Sequence, residues 1–130
     1  MENNEERGDL EGVLHAARAL VHADLEATGV CEAPVVSLLE EAVRHRRWWV
    51  EQWPQGAEFL AGLVAQDMQD ALLERYGRWP VCPLHAEDGG AADLHPLSVE
   101  PELGPDPRWV CGTTGREVAA VGSLADADVR

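Results

Sequence analysis

The chain has 130 residues, with 24 acidic against 10 basic side chains and a formal net charge of −14. Folding at this length buries roughly two-thirds of the unfolded surface, so one small domain can build a core without disulfide staples. The charge argues against nonspecific nucleic-acid binding, because an anionic surface repels a phosphate backbone.

The three cysteines, Cys31, Cys82 and Cys111, are an odd number, which points to thiols kept reduced rather than to a secreted disulfide framework. With no basic-then-apolar N-terminus and no apolar run near 18 residues, neither a signal peptide nor a membrane span is expected, and the reading is cytoplasmic.

Residues 1–8 are polar and acidic, with too little apolar surface to offset their ordering entropy, and are expected to be disordered. From Asp9 a helical rhythm begins. Leu10, Val13, Leu14, Ala17, Leu20, Val21 and Leu25 recur at spacings of three and four, giving an apolar stripe on a helix capped by Asp9 and ending near Gly29. His15 and His22 share the flank that carries Glu11, Arg18 and Glu26, and are read as solvated surface residues.

Pro34 suits the first position of a second helix, where its missing N–H costs nothing. Val35, Leu39, Ala42, Val43, Trp49, Val50 and Trp53 mark its buried face, and Pro54-Gln55-Gly56 ends it. A third helix runs from about Ala57 to Tyr76, with Gly77 as a left-handed cap. Asp67 falls on its apolar stripe between Val64 and Ala71, which predicts a partly buried carboxylate paired with an arginine. Three amphipathic helices with short connections over residues 9–77 predict an antiparallel bundle.

Beyond Gly77 the composition changes, and residues 78–115 hold six of the eight prolines. Leu97 to Glu100 reads as a short strand, and Trp109-Val110-Cys111 with Glu117 to Val121 reads as a hairpin. From Gly122 the chain turns into an acidic tail over residues 125–130. The expected fold is α+β: a three-helix antiparallel N-terminal bundle with a small C-terminal zinc-ribbon-like β module over residues 78–124. That module is too poor in apolar residues to hold itself together.

A metal ion would supply the missing stability. Cys82-Pro83-Leu84-His85 has the Cys-x2-His spacing of a knuckle, in which successive N–H groups face a thiolate and two side chains converge on one ion. Cys111-Gly112-Thr113-Thr114-Gly115 is shaped like the partner knuckle, with Thr114 standing where a second ligand is expected. His95, ahead of Pro96, completes a Cys82, His85, His95, Cys111 set for a structural Zn2+. Water, Cys31, Glu87, Asp88 or Asp93 are the alternatives for the fourth position. The plainer reading makes Cys82 and Cys111 small buried hydrophobes and His85 and His95 loop residues.

The run Trp79-Pro80-x-Cys82-Pro83-x-His85, then His95-Pro96-Leu97, Trp109-Val110-Cys111 and Val118-Ala119-Ala120-Val121-Gly122-x-Leu124, resembles a family of small uncharacterised proteins of high-GC bacteria that end in a degenerate zinc-ribbon-like module. The resemblance covers residues 79–124 and implies a metal-knuckle fold without implying an activity. A proline commonly follows the last cysteine in that family, and Gly112 stands there in this chain.

An enzyme reading uses the same residues. His85-Ala86-Glu87 followed by Cys111 superficially resembles the zinc-dependent nucleobase deaminases, with His85 and Cys111 as ligands and Glu87 as general acid/base. The chain departs from that pattern at Cys111, which lacks the Pro-Cys-x-x-Cys context. A third reading, a nucleic-acid-binding ribbon, meets nine acids against four arginines over residues 78–130.

One segment runs against the global charge. Arg44, Arg46, Arg47 and Trp48 gather cations and indole near the end of the second helix, in residue types that dominate binding hot spots, and fit an acidic protein partner or a second copy of the chain. The sequence is therefore read as a zinc-stabilised, non-catalytic interaction or adaptor protein, with a zinc-dependent hydrolase or deaminase as the alternative.

Overall fold

The computed structural model describes residues 2–82 and 95–126, with side chains from Leu10 onward. Three helices come first: α1 (Glu2–Ala27), α2 (Ala33–Gln52) and α3 (Leu60–Leu73), the last entered through a 3-10 turn over Pro54–Phe59. Helix α1 starts at Glu2, ahead of the Asp9 cap expected from the pattern and through the segment read as disordered. Once a helix is nucleated each added residue gains a bond at little cost, and residues 2–8 contain no proline to stop it. Its acidic first turns also suit the positive end of the helix dipole.

Helix α3 begins later than expected because the chain first passes under two indoles. A Cβ on Gly56 would lie 2.4 Å from the Trp49 ring and 2.8 Å from that of Trp53, so only glycine lets the backbone through. Trp53, expected inside, is 39% exposed. It sits edge-on to Trp49 at 5.1 Å and against Phe59 at 5.7 Å, closing the end of the bundle rather than filling it. Gly77 does take the left-handed cap, with φ of 87° and its N–H on the Leu72 carbonyl.

Ion pairs give the helix directions. Glu11 meets Arg47 and Arg18 meets Glu40, so α1 and α2 run oppositely. Leu14, Val50 and Leu60 share one buried cluster, while Leu25, Val35 and Leu72 share another, which returns α3 alongside α1. Arg46 reaches Asp67 through two bonds of 2.7 Å, the paired carboxylate that the stripe on α3 predicted.

A three-stranded antiparallel sheet follows, β1 (Ser98–Glu100), β2 (Arg108–Val110) and β3 (Glu117–Ala120), in the order β1-β2-β3. Val99 faces Trp109 and Trp109 faces Ala119. The architecture is α+β, as the change of pattern after Gly77 indicates.

The sheet has no core of its own. Trp79, Cys82, Leu97, Val99, Trp109, Cys111 and Val121 bury themselves in the same cluster as Val21, Leu25, Val35, Leu39, Val64, Met68 and Leu72 of the helices. Gly62 of α3 permits the approach, since a Cβ there would stand 3.2 Å from Pro107 and 3.4 Å from Val99. The stability that the β part lacks is thus supplied at least in part by the bundle.

Polar ties fix the docking. Asp24 is 0% exposed on the buried face of α1, and its carboxylate accepts Trp109 Nε1–H at 2.8 Å, Gly122 N–H at 2.6 Å and Leu124 N–H at 3.0 Å. Burial pushes this carboxyl above the ordinary aspartate range, while the bonds from Trp109, Leu124 and Gly122 draw it back. Residues 125 and 126, read as the start of an acidic tail, lie in a 3-10 turn over Leu124–Asp126 that packs on α1.

Candidate metal centre

The chain leaving α3 runs antiparallel to the stretch that leads into β1. Leu97 N–H donates to the Pro80 carbonyl at 2.7 Å and Cys82 N–H to the His95 carbonyl at 2.8 Å, which sets Cys82 beside His95. Gln69 of α3 clamps both sides of this ladder, its Nε2 donating to the carbonyls of Leu97 at 2.7 Å and Trp79 at 3.2 Å. Cys111 comes from the other end of the sheet, where β2 turns toward β3. There its N–H donates to the Arg116 carbonyl and its own carbonyl accepts Gly115 N–H, both at 2.8 Å.

Three separate segments therefore converge. The ligand atoms of Cys82, His95 and Cys111 all lie within 4.8 Å of one another, with Cys82 1% and Cys111 0% exposed and His95 half-buried. A tetrahedral ion bonded at about 2.3 Å to sulfur and about 2.05 Å to nitrogen spaces those two donors about 3.5 Å apart. Cys111 Sγ and His95 Nε2 are 3.5 Å apart. An S–H···N hydrogen bond would accept the same distance, so the decisive feature is the third donor, Cys82, on the same point. Thiolate and imidazole together select a borderline-soft ion such as zinc over calcium or magnesium, which prefer oxygen.

Of the sequence-derived ligand set, Cys82, His95 and Cys111 are brought together. His85 and the alternatives Glu87, Asp88 and Asp93 lie outside the described residues. Cys31, another alternative, is drawn elsewhere: its Sγ is 3.4 Å from His22 Nε2, at the far end of the α1 to α2 connection. His22 departs from the solvated role expected of it, being half-buried between Cys31 and Glu26, whereas His15 is exposed.

The cationic segment on α2 divides in two. Arg46 turns inward to Asp67 and stacks over the Trp49 ring at 5.4 Å, and Arg47 pairs with Glu11. Arg44 is exposed and Trp48 is 61% exposed.

Asp24 is the residue that sequence reasoning missed. It lies three residues after Val21 and seven after Ala17, on the same stripe of α1, so an acidic residue amid apolar ones was the available signal. Among the described residues no helix is long and apolar enough to cross a membrane.

A family model described as a domain of unknown function, DUF8819, matches residues 10–121, a span that takes in the three helices, the sheet and all three converging donors. No curated protein and no solved structure matches the chain.

Proposed function

Since the chain belongs to the DUF8819 family, whose description leaves the activity open, we propose from the geometry that it is a zinc-stabilised, non-catalytic protein-interaction module of zinc-ribbon type. One observation carries this reading: two almost wholly buried thiols and an imidazole, from three segments distant in sequence, meet at one point beside the shared core. A structural ion is closed off by protein ligands, and burial of this kind suits closure better than a catalytic site that keeps an open water position. His85, three residues after Cys82, supplies the fourth ligand in this proposal, by the knuckle spacing. Zinc held there ties the start of the β part to its hairpin, adding metal-binding free energy directly to folding.

The exposed Trp48 beside Arg44 favours an interaction role, because a solvent-facing indole next to a cation is the pattern of a binding anchor. The proposed partner is an acidic protein surface or a second copy of this chain.

Elemental analysis of the purified full chain tests the metal. We expect one equivalent of zinc, lost in Cys82→Ser and in Cys111→Ser and much weakened in His95→Ala and His85→Ala. Native protein without stoichiometric metal, or a Cys82→Ser variant that retains it, would overturn the proposal.

A further inference from the structure

A second cluster of reactive groups lies away from the metal centre, where α1 ends. Gly29, at φ of 77°, turns the chain back on the helix, with its N–H on the Glu26 carbonyl and Val30 N–H on that of Leu25 at 3.2 Å. The reversal lays Cys31 over the last turns of α1. Its Sγ comes to 3.4 Å from His22 Nε2, while His22 Nδ1 lies 2.9 Å from a Glu26 carboxylate oxygen one turn further along. The order is thiol, imidazole, carboxylate, each touching the next.

We propose that Cys31 is a hydroperoxide-reactive thiol, oxidised to the sulfenic acid with His22 as its proton acceptor and Glu26 as the residue that positions His22. With Nδ1–H donated to Glu26, the imidazole presents the lone pair of Nε2 to the S–H of Cys31, the tautomer a general base needs. The surrounding charges make that base necessary. Burial and the Glu26 carboxylate push the Cys31 thiol up, with the Arg18 cation opposing them, so the sulfur rests as a thiol and its proton must be taken locally.

The step balances without a further reagent. The thiol proton passes to His22 Nε2, sulfur attacks the nearer peroxide oxygen, and the O–O bond breaks. Two electrons from sulfur reduce the peroxide, and the departing oxygen takes the proton back from His22 to leave as water or an alcohol. One imidazole thus serves both proton transfers. Cys31 is only half-buried, so a small oxidant reaches its sulfur, whereas Cys82 and Cys111 are shut inside the core.

The test uses the full, metal-loaded chain treated with hydrogen peroxide in the presence of dimedone, with the adduct located by peptide mass. The adduct is expected on Cys31, forming about a hundredfold more slowly in His22→Gln and less markedly slower in Glu26→Gln. The sign of the change is decisive, since removing a mere packing neighbour would uncover the sulfur and speed the labelling. Unchanged or faster labelling in His22→Gln, or adducts on Cys82 and Cys111 with none on Cys31, would overturn the proposal. Glu26 is an exposed side chain, so its variant reports on the relay in a chain whose fold is intact, and labelling at the native rate there would remove Glu26 from the proposal.

Discussion

The helical part and the β part of this molecule solve the burial problem differently. Each helix has an apolar stripe that pairs with the stripes of its neighbours, so Leu14, Val50 and Leu60 bury one another without help from the rest of the chain. The β part contributes Trp79, Leu97, Val99, Trp109 and Val121, which meet Val21, Leu25, Met68 and Leu72 as much as each other. A three-stranded sheet of three or four residues per strand cannot enclose a core. It survives by completing a core that the helices leave open on one side.

The strongest way to break this contrast is to remove the indole at its centre. Trp109 is 0% exposed and donates to Asp24, so Trp109→Ala is expected to cost about 3–5 kcal/mol. If the core is common property, helical circular dichroism and indole fluorescence fall together in one urea transition. A β part that melts alone while the helices persist would show that the two regions are independent.

Asp24→Asn sharpens the contrast at its polar joint. An amide offers one acceptor oxygen where the carboxylate has two, leaving at least one of three buried N–H donors unpaired, at about 2–3 kcal/mol. The effect carries a pH signature. Because burial raises the folded-state pKa, the ionisation-linked contribution of Asp24 is complete below the ordinary aspartate range and is lost as pH rises through the raised value. The deficit of the variant is therefore expected to be largest in acid and to shrink between about pH 4 and about pH 7, read from urea midpoints.

Within the bundle the effects are smaller. Asp67→Asn strips Arg46 of its bidentate partner and is expected to cost about 1–2 kcal/mol, reduced by the water that still reaches both side chains. Glu11→Gln, at the exposed pair with Arg47, is expected to leave the urea midpoint where it was.

The helices were legible because their periodicity is a local signal. Leu14, Ala17, Val21 and Leu25 announce a buried face from sequence spacing alone, and the same spacing anticipates the Asp67 pair through a carboxylate among apolar neighbours. Cys82, His95 and Cys111 could be nominated from residue type and from the prolines and glycines around them. Their convergence depends on β1 pairing with β2, which no local pattern encodes. Asp24 and the Cys31 to His22 contact escaped for that same reason. The first finds its partners 85 or more positions away, and the second depends on a glycine reversal that spacing along a helix does not report.

Trp79 and Trp109 meet edge to face at 5.5 Å and 85°, and each anchors its indole N–H near the C-terminal end of α1, on Thr28 and Asp24 respectively. Two chromophores at such a separation couple their transitions, and the resulting exciton couplet is an intrinsic optical gauge of whether the sheet is seated on the helices. Trp48, Trp49 and Trp53 lie at the opposite end of the bundle. A circular dichroism trace in the aromatic bands thus follows the docking of the sheet without any attached dye.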